Sequence, residues 1–365
     1  MANSGADLDA CCLAAAIRLG RSGLGTTWPN PSVGAILVKE GRILARARTA
    51  PGGRPHAETI ALAEAGEAAR GATLYVSLEP CAHHGRTPPC AEAVIAAGVR
   101  RVVAAAADPD PRVAGRGFAL LRATGIECPE TVGSDAARRA HAGHRSRVGR
   151  GRPFVTLKLA VSADGAIGRE GEAGTPVTGE IARRHVQALR SRFDAILVGS
   201  GTVLADNPRL TVRLPGLEHR SPVRIVLDSG GRLRDGAWHV LDDAAPTWRF
   251  GADDRPADPA SGEGVRHFAV PRAADGLDLA AVLGLLGGEG VTSVLVEGGA
   301  MVARSLIGAD LIDAAILFRS PVSLGDRAIP ALAGLPLAAI EASPRFRRVQ
   351  RRRFGPDTMT LYDRR

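Results

Sequence analysis

Residues 71–90 read GATLYVSLEPCAHHGRTPPC, and the fold of the first half of the chain turns on them. TLYVSL (73–78) has the apolar, aromatic and β-branched content of a strand. It runs into Pro80-Cys81, and a second cysteine, Cys90, follows nine residues later behind Thr87-Pro88-Pro89. That threonine and those prolines read as a helix start, with Thr87 as N-cap and proline in the first turn. Cys90 then falls in the first helical turn, where the helix dipole favours a thiolate. Upstream, His56-Ala57-Glu58 opens another helix just after Pro55.

One imidazole and two thiolates suit zinc and leave a fourth position open for water. An open position marks a catalytic rather than a structural zinc, because the metal makes hydroxide available near neutral pH. Glu58 lies two residues from His56, so the two side chains do not share a helix face. Glu58 is therefore expected as the catalytic acid/base, moving a proton from water to a leaving amine. His56, Cys81 and Cys90 are the expected metal ligands. The order H-x-E…P-C…C is that of zinc deaminases acting on nucleobases. Two plainer readings compete. One is a pair of core cysteines beside an unrelated HAE. The other is a structural zinc with His83 or His84 as fourth ligand, against which the H-x-E element argues.

Around this segment helix and strand alternate. A helix near Asp9–Arg21 precedes the strands VGAILV (33–38) and RILARAR (42–48), joined at Glu40-Gly41. A helical stretch runs from His56 to near Gly71, RVVAAAA (101–107) is a strand, and GRGFALLRATG (115–125) is helical. Such alternation predicts a mainly parallel sheet with helices on both faces. HAGHRSRVGRGRP (141–153) lacks apolar periodicity, and the domain boundary is placed there, giving domains 1–146 and 147–365. Beyond it, FVTLKLAVSADG (154–165), DAILVGSG (194–201), VRIVLDSG (223–230), TSVLVEGG (292–299) and DAAILFRS (313–320) read as strands. Several end in Gly or Ser, where open α/β sheets bind ligands. RFRRVQRRRFGPDTMTLYDRR (345–365) reads as a closing strand pair around Gly355-Pro356.

Composition sets the class. With 365 residues, 45% hydrophobic and 23% charged, the chain is globular and long enough for two domains. No apolar run is long enough to span a bilayer, and the N-terminus has no secretory pattern, so a cytoplasmic location is expected. Five cysteines in such a chain argue against a disulfide framework. Cys11, Cys12 and Cys128 read as small core residues. The net charge of +9 fits nucleic acid or small phosphorylated ligands equally well.

The gap CAHHGRTPPC, with the NPSVGA strand upstream, resembles the bifunctional deaminase–reductase family of riboflavin biosynthesis. The resemblance extends through TTWPNPSVGAILV, PHAE and DPDPRVAGRG in the first domain. In the second it covers VTLKLAVSADGAIG, ILVGSGTVLADNPRLTVR, RIVLDSGGRL and VEGGA. It implies an α/β architecture: a cytidine-deaminase-like three-layer domain, then a dihydrofolate-reductase-like domain. It further implies zinc-dependent deamination of 2,5-diamino-6-ribosylamino-4(3H)-pyrimidinone 5′-phosphate. NADPH-dependent reduction of the product's ribosyl chain to ribityl follows.

By the same resemblance, Asn30, His83 and Arg86 contact the deaminase substrate, Arg86 through its phosphate. Lys158, Arg190, Leu210, Arg213 and Glu297 match substrate positions of the reductase. Ala160, Thr202, Asp206, Ser229 and the run Gly299, Ala300, Met301, Val302, Ala303, Arg304 and Ser305 match NADPH positions. Glycine there lets backbone N–H groups approach a pyrophosphate at a helix start. The expected partner is a small phosphorylated pyrimidine, with no nucleic acid or membrane, in a homo-oligomer (dimer or tetramer). The chain departs from the family twice. Thr49 stands where the family has a histidine, and Pro176 stands where it often has a tryptophan. The alternatives are a paralogous or nucleic-acid-directed zinc deaminase, or a binding protein with a degenerate site, against which the intact Glu58 argues. RFRRVQRRR (345–353) is the basic patch that would serve nucleic acid, and an edge strand of solvated arginines is its plainer reading.

Overall fold

The run GAILVK is apolar on both strand faces, so it can lie only in a sheet covered on both sides. In the computed structural model it is β1 (Gly34–Lys39), with five of its six residues buried. The structure describes residues 5–85, 87–129, 131, 133–172, 174, 176–234, 237–254 and 264–365. The chain divides into two compact units, Met1–Arg152 and Pro153–Arg365.

In the first unit β1 turns through Glu40 and Gly41, both at positive φ (50° and 72°), into β2 (Arg42–Arg48). Paired residues of this kind suit a two-residue hairpin turn. The other edge of β1 pairs antiparallel with β3 (Thr73–Val76), which pairs parallel with β4 (Arg101–Ala104). The order is β2-β1-β3-β4. A mainly parallel sheet was the expectation, and here it fails. The segment between β2 and β3 does join strands of the same direction, but β1 lies between them and opposes both.

Helix α1 (Gly5–Arg21) packs on β1 and β3, and α2 (Ala57–Ala65) packs on β1 and β2. Helix α3 (Cys90–Ala96) sits between α2 and α4 (Arg116–Ala123). Two helices, α5 (Asp135–Ala140) and α6 (Ala142–Arg150), close the unit. Residues 142–150, inside the stretch where the domain boundary was expected, are helical, and the buried residues of that helix are polar: His144 and Ser146. His144 Nε2 lies 2.9 Å from Asp108 Oδ1. The expected boundary at 146/147 falls inside α6, and the compact units divide between Arg152 and Pro153.

The second unit begins with β5 (Phe154–Val161) and β6 (Ala166–Arg169). It continues through α7 (Glu180–Arg190), β7 (Ala195–Gly199), α8 (Ser200–Asp206) and β8 (Val223–Leu227). Next come β9 (Thr247–Ala252), β10 (Val265–Val270), the small pair β11 (Arg272–Ala273) and β12 (Gly276–Leu277), and α9 (Leu279–Gly288). The rest is β13 (Ser293–Val296), α10 (Ala300–Gly308), β14 (Ala314–Arg319), β15 (Ala328–Pro330), α11 (Ala338–Glu341), β16 (Phe346–Phe354) and β17 (Asp357–Arg364).

Nine strands form one sheet in the order β10-β9-β8-β7-β13-β5-β14-β17-β16. The first seven are mutually parallel, and the closing β17 and β16 run antiparallel. The strand ends of β13, β7 and β8 therefore share one edge. β16 is an outer strand with mostly exposed arginines, a basic edge that resists further pairing. Among the described residues, no helix is long and apolar enough to cross a membrane.

His141 joins α5 and α6 to the sheet, with Nε2 bonded to the Ser77 carbonyl at 2.9 Å. Burial depresses its pKa from the usual 6.5 to about 4. The unfolded chain thus takes up a proton that the folded one refuses. The contribution is whole above pH 6.5 and is lost as pH falls toward 4. Urea titrations of the full chain, read by Trp28 fluorescence with Trp238 and Trp248 changed to Phe, should show this loss. The slope should reach up to about 1.4 kcal/mol per pH unit. His141→Gln keeps a donor for Ser77 and should flatten it; an unchanged slope would remove His141 as the cause.

Candidate active sites

In the first unit the metal ligands come from three chain segments. His56 is the N-cap residue of α2, in extended conformation, and α2 is held on β1 and β2. Cys81 follows β3, and Cys90 is the first residue of α3. Their donor atoms lie within 4.8 Å of one another. His56 Nδ1 is 3.2 Å from Cys90 Sγ and 3.7 Å from Cys81 Sγ. The Cys90 N–H donates to Cys81 Sγ at 3.3 Å, and the Ala91 N–H donates to the Cys81 carbonyl at 3.1 Å. The start of α3 therefore holds Cys81 as well as supplying Cys90. The N-cap position belongs to Pro89, not Thr87, whose hydroxyl instead accepts from Arg54 Nη1.

The Cys90 contact holds the Cys81 thiol down to about 4, and the same contact with burial pushes Cys90 up. Cys81 is thus ready as a thiolate, and a cation between the sulfurs would displace the remaining proton. Glu58, in the first turn of α2, is 3% exposed, and its Oε2 has no hydrogen-bond partner. Burial pushes its pKa up to about 7. Among the described residues no fourth histidine, cysteine or carboxylate joins the cluster. His84 turns instead to Glu92, at 3.4 Å. An orphaned buried carboxylate oxygen beside one nitrogen and two sulfur donors fits a three-ligand catalytic zinc.

Glu79 was not anticipated. It is 3% exposed, and its carboxylate accepts from the N–H groups of Asp108, Gly115, Gly117 and Phe118. A side chain at Gly117 would come within 2.1 Å of the Pro80 carbonyl, so only glycine lets α4 start there. Together these fasten the 108–117 loop to the residue before Pro80-Cys81. The signal in sequence was a carboxylate directly after an apolar strand.

Asn30 Nδ2 donates to the Gly53 carbonyl at 2.8 Å, which sets it beside the turn leading into His56. His83 is half-buried, and its Nδ1 has no partner. Arg86 lies outside the described residues. Thr49 is buried, and its hydroxyl accepts from the Val33 N–H at 3.0 Å. That hydroxyl is engaged by backbone and does not stand in for a histidine at a substrate.

In the second unit a cavity of about 1330 Å³ runs over the ends of the parallel strands. Lys158, Ala160, Thr202, Asp206, Ser229 and Glu297 line it, as do Gly299 to Val302, Arg304 and Ser305. Ala303 is fully buried and turns away. Glu297 is an ion-pair centre. Arg190 grips it through Nε (2.7 Å) and Nη2 (2.9 Å), and Lys158 Nζ lies 3.8 Å away. Burial raises the Glu297 pKa, but Arg190 and Lys158 outweigh it and the net shift is down. Burial likewise pulls Lys158 down.

Three residues expected at the substrate do not line the cavity. Arg190 reaches it only through Glu297. Leu210 is packed in the core at positive φ (54°). Arg213 is exposed, and its pKa is lowered by burial and by repulsion from Arg190 and Arg209. Pro176 is exposed.

The start of α10 meets the cavity after Gly298 and Gly299, at φ 141° and 78°. L side chains rarely adopt either φ, and a Cβ on Gly299 would also crowd Thr202 Oγ1 at 3.3 Å, so the turn favours glycine and leaves a cradle open. The first N–H groups of α10 have no partner within the helix and suit a pyrophosphate. The site fits a dinucleotide.

Residues 153–360 match the RibD C-terminal domain, and residues 9–106 match the cytidine and deoxycytidylate deaminase zinc-binding region. The riboflavin biosynthesis protein RibD of Escherichia coli (strain K12) is 40% identical over 94% of this chain and 96% of its own. The chain belongs to the RibD family. RibD of Bacillus amyloliquefaciens is 39% identical over 94% of this chain and 92% of its own. The crystal structure of a deaminase/reductase from Thermotoga maritima superposes with a TM-score of 0.87 at 33% identity, covering 98% of this chain and 99% of that one. RibD of Acinetobacter baumannii gives the same score, identity and coverage. This RibD-family chain is a bifunctional deaminase and reductase of riboflavin biosynthesis, with zinc for the first activity and NADPH for the second.

Cys90→Ser protein should purify with far less zinc by elemental analysis, whereas Glu58→Gln should hold as much as the wild type. Equal zinc loss in both would make Glu58 a ligand.

Proposed function

We propose that the first unit deaminates the diaminopyrimidinone ribosyl phosphate and the second reduces the ribosyl chain of its product. The observation that carries the first half is the unpartnered Glu58 Oε2 beside the three donor atoms. His56, Cys81 and Cys90 would hold zinc, whose Lewis acidity makes water a competent nucleophile near neutral pH. Glu58 takes a proton from that water and delivers it to the departing amine. The new carbon–oxygen bond replaces carbon–nitrogen, and ammonia leaves. A carboxyl poised at about 7 can both accept and give up the proton. Asn30, held by Gly53, is assigned to the pyrimidine, and His83 and Arg86 to the ribosyl phosphate side.

For the second half, NADPH supplies the hydride. The chain's part is to orient and to hold a proton. Lys158, beside Glu297 and inside the cavity, is the acid we assign. Arg190 keeps Glu297 ionised and fixed, which in turn fixes Lys158. Arg213, outside the cavity lining but near Arg190 and Arg209, is still assigned to the substrate phosphate, because clustered guanidinium groups are relieved by a dianion.

Chelation should stop ammonia release from the diaminopyrimidinone phosphate yet spare NADPH oxidation on the deaminated substrate. Loss of both would refute two independent sites. Glu58→Gln should slow deamination by about 10²–10⁴-fold and leave reduction intact; wild-type deamination in this variant would end the acid/base role.

A further inference from the structure

We propose that Arg232 reads the 2′-phosphate on the adenosine ribose of NADPH and so selects NADPH over NADH. This rests on the reading that the pyrophosphate lies at the start of α10.

The sheet order sets the direction. β5, β13, β7 and β8 are successive parallel neighbours. Lys158, Glu297 and Arg190 cluster at the β5–β13 side, so the hydride-donating ring belongs there. From the cradle after β13, the other half of the dinucleotide must run the opposite way, across the end of β7 to the end of β8. Three strand steps of about 4.8 Å separate β5 from β8. The adenosine ribose is then delivered to the loop 228–233.

That loop is prepared for an anion. The Asp228 carboxylate accepts from the Arg232 N–H (2.9 Å), the Leu233 N–H (3.1 Å) and Arg249 Nη2 (2.7 Å), which fixes its path. The Arg232 side chain folds back over Gly230, where a Cβ would come within 3.2 Å of its Cγ. Its Nη2 then donates to Ser200 Oγ at 2.9 Å, bridging the ends of β8 and β7. A guanidinium has five N–H donors, and among the described residues no carboxylate pairs with this one. A planar fork with donors to spare suits a phosphate. Ser229 lines the cavity beside it.

Other cavity cations are committed elsewhere. Lys158 faces Glu297, and Arg169 bonds the Leu324 carbonyl and faces Glu172. Arg304 donates to the Ala333 carbonyl, just past β15, which pairs with β6 rather than with β8. One group opposes the proposal. Asp275, in the turn between β11 and β12, also lines the cavity, and a carboxylate there would favour a free ribose hydroxyl.

Calorimetric titration of the full chain with 2′,5′-ADP, AMP, NADP⁺ and NAD⁺ decides between them. The wild type should bind 2′,5′-ADP more tightly than AMP. Arg232→Gln should weaken 2′,5′-ADP and NADP⁺ by about 10–100-fold, with AMP and NAD⁺ changed by no more than about 2-fold. Arg232→Lys should fall between. Equal weakening of both ligand classes, no weakening, or a wild-type preference for AMP would overturn the assignment. Wild-type protein that binds neither dinucleotide would overturn the cofactor reading itself, a result distinct from the others.

Discussion

A carboxylate buried at or near the end of an element cannot stay charged without donors, and three such glutamates organise this molecule. Glu79, after β3, is satisfied by four backbone N–H groups. Glu297, after β13, is satisfied by a bidentate arginine and a nearby lysine. Glu58, at the start of α2, is left with an unpartnered oxygen. The first two positions are paid for by pairing and act as anchors. The third is not, and its affinity for a proton rises accordingly. Reactivity resides where the pairing is missing.

The anchors explain how each site is held. Glu79 ties the 108–117 loop and the start of α4 to the residue before Pro80-Cys81. The first N–H groups of α3 then hold Cys81 from the other side. Cys81 therefore sits between two fixed ends, and His56 is delivered by a helix packed on β1 and β2. In the second unit Glu297 draws Arg190 and Lys158 together. Their mutual neutralisation lets three charged groups share a poorly hydrated edge of the sheet. The adjoining glycine turn and the first turn of α10 supply unpaired N–H groups. Charge recognition and dinucleotide recognition thus lie side by side at one edge.

Much of this was legible from residues alone. The two hairpins, the parallel strands ending in Gly or Ser, the zinc donor set and the acid/base glutamate all follow from local pattern and the chemistry of donor types. The order of strands in the first unit was not legible. An α/β alternation looks the same whether the next strand lands beside its predecessor or one place further on. The helical character of 142–150 was also hidden, because its buried face is His144 and Ser146 rather than apolar side chains. Thr49 looked like a hydroxyl in place of an imidazole, and only its bond to Val33 showed it engaged. Leu210 and Ala303 matched binding positions in sequence, yet their side chains belong to the interior.

Sequence by itself determined the chemistry available: one imidazole, two thiols, a carboxylate two residues from the imidazole, and glycine-rich turns after apolar strands. These are properties of residue types and short spacings, which need no fold to be read. Tertiary structure alone decided which groups stay unpaired. That depends on donors brought from segments far apart in the chain, as Gly117 is brought to Glu79 and Arg190 to Glu297. Desolvation makes that difference matter, since an orphaned carboxylate is ordinary in water and reactive when buried.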